Sequence, residues 1–527
     1  MTPQRSDPSH GAWAGALAGL LALATALGIG ELVAALVRPG ASPVVAVGET
    51  VIDLAPATVK EFAIRVFGVY DKPVLVAGIL VVVGLLAAGL GVRARRSTAQ
   101  AVAGVVGLGL VGAVAAASRP DGGPIDALPA LAGAAAGTAA LLLLVRPLAH
   151  GRVAGGEVDA RADATVAGID RREFVRTLAL RGAGAVAVAA VAGGAGRALV
   201  RPRQNVTSSR TSLALPAPAS PAPPIPAGAD LDVPGLGRFV TTNADFYRVD
   251  TSLLLPQVPA DKWTLRVHGM VSREIRLTYE ELLRRPMVER DITLACVSNE
   301  VGGPYVGNAR WLGIRLADLL REAGVDPRAD QILSRSADGW TCGTPTEVVM
   351  DGRDALLAVA MNGDPLPVAH GFPARMVVPG LYGYVSATKW VVDLELTRFD
   401  RVAAYWAQRG WAEQAPIKTM SRIDTPRPGA RPSAGRVAVA GVAWAQHRGI
   451  ERVEVRVDGG PWRRARLAAV PSLDTWRQWV YVWDATPGSH RLEARATDGT
   501  GRTQTGVQRP PVPDGATGWH SVDVDVD

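Results

Sequence analysis

Five stretches in the first two hundred residues, at about 12–37, 73–92, 100–118, 127–145 and 182–200, are almost free of charge. Each approaches the roughly 20 residues that a helix needs to cross a hydrocarbon layer. In lipid every backbone N–H and C=O must find its partner within the segment, so the five runs are expected as five transmembrane helices in a region 1–203. Arginine sets the orientation. Arg93, Arg95 and Arg96 fall between the second and third runs, and Arg146, Arg152, Arg161, Arg171, Arg172 and Arg176 between the fourth and fifth, which marks those loops as cytoplasmic. With the N-terminus also inside, an odd number of spans delivers the rest of the chain outward. Arg197, Arg201 and Arg203, just past the last run, argue weakly the other way. The expectation is a multi-pass protein of the cell membrane with extracytoplasmic later domains.

The stretch DRREFVRTLALRGAGAVAVAAVAGGAG begins just ahead of the fifth run, and in it Arg171 and Arg172 precede Phe174 and a mild Gly/Ala-rich stretch. Over 170–198 this resembles a twin-arginine export signal, the route for proteins that fold before crossing. Being internal, it would stay as an anchor. Gly107, Gly109 and Gly112 spell GxGxxG, but they lie inside an apolar run without a preceding strand, so helix packing is the better reading. Glu31 is an acid within the first run, near its outer end. No histidine lies between His10 and His150, which excludes a bis-histidine haem in the spans.

A charged fraction of 20% beside 58 Gly and 38 Pro fits membrane segments joined to linkers. The net charge of +7 is scattered, without basic runs interleaved with aromatics, so no nucleic-acid partner is expected. Residues 204–236, with LALPAPASPAPPIPAGADLDVPG, read as a semi-rigid Pro/Ala spacer, and packed structure is expected to resume near Arg238. From 237 to 416, strand-like KWTLRVHG, REIRLT, ARMVVPG and KWVVDLELT mix with TYEELLRR, RLADLLREAG and GRDALLAVAM, read as helices, which makes an α+β domain. From 417 to 527 GRVAVAGVAW, ERVEVRVDGGPW, QWVYVWD, HRLEARATD and WHSVDVDVD alternate strictly, with a hairpin signal at Asp458-Gly459. That reads as an immunoglobulin-like β-sandwich.

Cys296, in DITLACVSNEVGGPY, is one of only two cysteines. Two are too few for a disulfide-dense scaffold or a four-cysteine zinc site. Three readings remain open: a small core residue, a disulfide with Cys342, or a thiolate on a soft metal. Loops rich in Gly, Asn, His and Arg supply donors suited to an anionic, phosphate-bearing cofactor.

The motifs TTNADFY (241–247), TLACVSN (293–299), ARWLGIRLADLL (309–320), MNGDPLPVAHGFPARMVVPG (361–380), TKW (388–390), VAGVAW (439–444) and VRVDGGPW (455–462) run in this order over about 238–527. In them the chain resembles the sulfite oxidase family of molybdenum-cofactor enzymes. The resemblance implies a molybdopterin-binding domain, a sandwich that commonly mediates homodimerisation, and two-electron oxygen-atom transfer on a small oxo-donor or oxo-acceptor. It makes Cys296 the metal's thiolate ligand. Asn243, Phe246, Tyr247, Asn299, His370, Arg375, Ser386 and Lys389 become cofactor contacts, although His370 taken alone reads as a structural loop histidine. Arg448 matches an arginine that the second domain projects toward the metal. The pattern departs elsewhere: Val249 and Glu300 stand where the family has arginines, and Trp340 where it has its active-site tyrosine. Sulfite would bind poorly in such a site, and a less charged substrate such as a sulfoxide gains ground. No CxxCH, iron–sulfur set or haem-ligating histidine pair is present, so no haem and a separate electron carrier are expected. The rival reading is a non-catalytic anchored binding or assembly module on the same fold.

Overall fold

The computed structural model describes residues 8–67, 70–119, 122–150, 182–196 and 206–527. Two compact units emerge, Met1–Asn205 with Thr251–Leu254, and Val206–Asp250 with Leu255–Asp527.

The first unit is helical: α1 (Pro8–Val37), α2 (Pro43–Leu54), α3 (Ala57–Phe67), α4 (Asp71–Ala94), α5 (Thr98–Ala117) and α6 (Leu128–His150), followed by α7 over Gly182–Gly196. Four segments among the described residues are long and apolar enough to cross a membrane: Ala12–Val37, Asp71–Ala94, Thr98–Ala117 and Pro124–Val145. The fifth expected run appears as the shorter α7, and the Arg171–Arg172 pair lies outside the described residues. α2 and α3 were not legible as helices, because their charges break the long apolar signal.

Small residues let these backbones touch. A Cβ on Gly19 would fall 1.9 Å from the Ala87 carbonyl oxygen of α4, and one on Gly91 would fall 2.1 Å from that of Gly15. Without a hydrophobic force between helices in lipid, such close packing is what joins them. Two of the GxGxxG glycines pack as expected, Gly109 against Ala134 and Gly112 against Ala130, both on α6, while a Cβ on Gly107 would meet nothing within 4 Å. Glu31 is held by the Ser42 hydroxyl, and Arg38 pairs with Asp126 at 2.9 Å.

The second unit begins earlier than expected. The Pro/Ala segment is no free spacer but a strip laid along the domain. Ala219 N–H donates to Met287 O at 2.8 Å, Glu289 N–H to Ser220 O at 2.9 Å, and Arg210 to Pro365 O. Further on, Leu231, Val233 and Leu236 pack with Ala440 and Val480. Proline presets the extended backbone, so little entropy is lost when its neighbours' N–H and C=O groups find partners.

The strands that follow are β1 (Thr264–Gly269), β2 (Ile275–Thr278), β3 (Val288–Ala295), β4 (Val306–Arg315), β5 (Gln331–Ser336), β6 (Thr341–Pro345), β7 (Leu356–Met361), β8 (Asp364–Pro365), β9 (Arg375–Val377) and β10 (Val391–Thr397). One sheet runs β2-β1-β10-β5-β6, with β1 parallel to β10; the other runs β3-β4-β7-β8, with β9 also on β7. Short helices, α8 (Thr207–Thr211), α9 (Tyr279–Leu283), α10 (Leu316–Ala323) and α11 (Thr346–Met350), lie between them. α10 buries Leu316, Leu319, Leu320 and Ala323 at helical spacing and stops at Gly324, whose φ is 68°. GRDALLAVAM is the misreading. Its Leu356–Met361 forms β7, every residue buried, because a six-residue run apolar on both faces suits a central strand despite its helix-favouring Leu and Ala.

Two four-stranded antiparallel sheets close the chain. β11 (Met420–Thr425), β12 (Gly435–Trp444), β15 (Arg466–Leu467) and β16 (Arg477–Ala485) make one, ordered β11-β12-β16-β15. β13 (Ile450–Val457), β14 (Arg463–Arg464), β17 (Gly488–Asp498) and β18 (His520–Val526) make the other, ordered β14-β13-β17-β18. Val439, Ala443 and Trp479 from the first share one core with Val453, Leu492 and Val524 from the second. Asp458 and Gly459 both take positive φ, 51° and 69°, as a tight β13–β14 hairpin requires.

Candidate functional site

β3 ends at Ala295, and the next residue is Cys296. The turn that carries it is pinned at both ends: Cys296 N–H donates to Tyr305 O at 2.9 Å, Asn299 N–H to Cys296 O at 3.1 Å, and Tyr305 N–H to Asn299 Oδ1 at 2.7 Å. Cys296 and Cys342 are free thiols, which closes the disulfide reading. Burial pushes the Cys296 thiol up, and the Ser298 N–H and hydroxyl, the Lys389 ammonium and the Val297 N–H pull the other way. Burial prevails and the free sulfur keeps its proton, while the donors and the cation would favour a thiolate once a metal took that proton's place.

Cations gather beside it. Arg375 is 5% exposed, and its guanidinium meets only carbonyl oxygens, His370 O at 3.1 Å and, more distantly, Met376 O and Ala387 O, while lying 5.0 Å over the Trp311 ring. No carboxylate is in ion-pair distance of it among the described residues, and burial pulls its pKa down to about 10. Lys389 pairs with Asp250 at 2.8 Å, yet burial still lowers it to about 8. His370 Nε2 lies 3.0 Å from Asn243 O; burial, then the charge of Arg375, depresses the imidazole to about 4, so it is neutral. Asn243 is held from both ends, Nδ2 on Met361 O and Oδ1 accepting from Asn362 at 2.9 Å. The Tyr247 phenol is raised by burial, with the Cys296 charge adding and Arg375 opposing, so both groups act on that ring.

Cys296, Asn243, Tyr247, His370, Arg375 and Lys389 are thus brought together. Others hold the frame. Phe246 is a wedge, stacked on Tyr247 at 5.2 Å and edge-on to Trp311 and His370. Asn299 braces the cysteine turn. The Ser386 hydroxyl is fully buried and donates to Tyr382 O at 2.9 Å, so a phosphate contact through it does not fit the structure: the proton is already spent on the turn. Trp340 closes a turn in which Ser336 N–H donates to its carbonyl at 2.9 Å, and no hydrogen bond or ring contact among the described residues joins its ring to Cys296. Arg448 is bound to Asp498 at 2.9 Å. The sequence reading missed Asp250, Ser298, Asn362 and Asp498. Asp250 lies three residues past the TTNADFY motif, and its position beside a cation was the available signal.

The donor set fits a large anionic group. A buried guanidinium without a counter-ion is costly, and a phosphate supplies the missing charge. A half-buried thiol among donors suits a soft metal.

Comparison with known proteins agrees. Residues 252–406 match a family model described as an oxidoreductase molybdopterin binding domain. The uncharacterized oxidoreductase YuiH of Bacillus subtilis is 33% identical over 150 residues, 28% of this chain and 72% of that protein. Sulfite oxidase of Gallus gallus is 30% identical over 294 residues, 47% of this chain and 63% of that one, so this chain spans less than two thirds of that relative's length. Among solved structures, the sulfane dehydrogenase SoxCD from Paracoccus pantotrophus is 26% identical, with a TM-score of 0.49 over 54% of this chain and 81% of that one. Sequence motifs, family model and relatives converge, and the chain belongs to the sulfite oxidase family of molybdopterin-dependent oxidoreductases.

Proposed function

We propose that the protein is a membrane-anchored enzyme of oxygen-atom transfer, working on the extracytoplasmic side with Cys296 as the thiolate ligand of molybdenum. The observation that carries the reading is Arg375, a guanidinium sealed from water with no carboxylate in ion-pair distance among the described residues, which acts together with Cys296 on the buried Tyr247 phenol. When bound, molybdopterin supplies the two-electron redox chemistry. The chain supplies the rest. Arg375 and Lys389 hold the anionic end of the cofactor, with Asn243 and neutral His370 hydrogen-bonding its polar edge. Ser298 and Val297 orient the sulfur.

The substrate side is poor in free positive charge. Val249 and Glu300 replace cations, Arg248 is paired with Asp250, and Arg448 with Asp498. These pairings favour an uncharged oxo-compound such as a sulfoxide over sulfite. In this reading α7 is the core of a fifth span, Arg171 and Arg172 belong to an export signal, and residues 237–416 and 417–527 are the cofactor domain and an immunoglobulin-like sandwich through which two copies pair. A separate carrier exchanges the electrons.

Metal analysis of protein made in a cofactor-producing host tests this. One molybdenum per chain in wild type, lost in a folded Cys296→Ser variant, is the expected result, with a metal–thiolate signal in X-ray absorption. A folded, metal-free wild type defeats it.

A further inference from the structure

Arg448 follows β12, and its hydrogen bonds leave it little freedom. Nε donates to Asp498 Oδ2 at 2.9 Å, and Nη2 to Ile417 O at 2.8 Å and Thr419 Oγ1 at 3.2 Å. Asp498 closes β17 with its side chain 1% exposed. It also accepts from Thr419 Oγ1 at 2.7 Å, from Thr500 Oγ1 at 2.6 Å and N–H at 3.0 Å, and from Arg502 N–H at 3.2 Å. A carboxylate anchored by so many donors cannot swing away when a ligand arrives. Burial would raise its pKa, but the hydrogen bonds from Thr500, Thr419 and Arg448 outweigh that and keep it ionised.

Arg448 and Cys296 both act electrostatically on the buried Tyr382 phenol, and Ile417, whose carbonyl holds Arg448, donates its N–H to Gly380 O at 2.9 Å. Lys418, the neighbouring cation, is likewise matched, by Asp514 at 2.8 Å.

We propose that Asp498 is a specificity-determining residue: by fixing Arg448 in a neutral pair it denies a doubly charged anion the cation it would need at the reaction site. The inference rests on the proposed function, in which Arg448 faces the substrate. It assigns to a residue of the second sheet the exclusion of sulfite-like dianions. Freed of Asp498, the same arginine becomes an anion ligand.

Sulfate, an unreactive dianion, is the probe, titrated calorimetrically into the full-length holoenzyme in detergent. Asp498→Asn is expected to bind sulfate at least about tenfold more tightly than wild type, a gain of about 1.4 kcal/mol, and the double variant Asp498→Asn/Arg448→Gln to lose that gain. A single variant within twofold of wild type, or a gain that survives in the double variant, overturns the proposal. Should Asp498→Asn fail to fold, Asp498→Ser takes its place in the same comparison: a tenfold gain in sulfate affinity supports the proposal, and an affinity within twofold of wild type overturns it. Binding is read directly and molybdenum separately, so a metal-free preparation counts against the cofactor reading while the sulfate titration still decides on Asp498.

Discussion

Arg375 shows how one side chain can declare an absent partner. A buried charge without a counter-ion usually destabilises a fold, and an apolar residue of similar size is often as stable or more so. Arg375→Met is therefore expected to leave the cofactor-free protein at least as resistant to heat as wild type, yet to lower its molybdopterin content several-fold. Melting scans and pterin fluorescence after extraction check both halves; a destabilised apo-protein would mean that the carbonyl contacts alone sustain the charge. Histidines give a second residue-scale prediction. Burial, with the charge of Arg375 on one and of Arg422 on the other, depresses His370 and His520 from 6.5 to about 4. Below pH 6.5 the unfolded chain takes up protons that the folded state refuses until about 4. Stability is thus complete above pH 6.5 and declines between 6.5 and 4, by up to ~3 kcal/mol per histidine. Urea midpoints at pH 7.5 and 4.5 measure it, and equal midpoints would show that these rings titrate normally in the fold.

At the scale of elements, the cysteine turn is held by the two C-terminal sheets as well as by its own strands. Arg422 Nη1 of β11 donates to Gly303 O at 3.0 Å, and the His520 ring of β18 fills the space beside Gly302. A Cβ on Gly302 would fall 2.2 Å from that ring, at a φ of 80° that disfavours any side chain. Gly302→Ala is expected to cost about 2–3 kcal/mol by denaturant unfolding, and to alter the rate at which Cys296 reacts with a thiol reagent in the cofactor-free protein. An unchanged rate would mean that the turn is rigid without the clamp. Element type was legible where period and length agreed: α10 shows its apolar face at helical spacing, and the strands of residues 417–527 alternate strictly. It was not legible in β7, where alternation vanishes because both faces are buried. Nor did sequence order reveal the clamp, since residues 302 and 520 meet only through the packing of the sheets.

For the whole molecule, the Pro/Ala strip changes where the second folded unit starts. Leu231 contributes to the cluster with Ala440 and Val480, and its N–H donates to Gln478 Oε1 at 2.6 Å. A fragment of residues 206–527 is expected to exceed one of residues 237–527 by about 3 kcal/mol in denaturant, from burial of one to two aliphatic side chains. Equal stabilities would return the strip to the role of a spacer. What sequence alone determined were properties written locally: apolar runs long enough for lipid, alternation that demands a half-buried sheet, and the motif order that names the family. Tertiary structure alone decided which charges are spent. Asp250 on Lys389 and Asp498 on Arg448 are pairings between distant segments, Arg375 has no carboxylate in ion-pair distance among the described residues, and electrostatic energy depends on distance and burial, which a linear chain does not record.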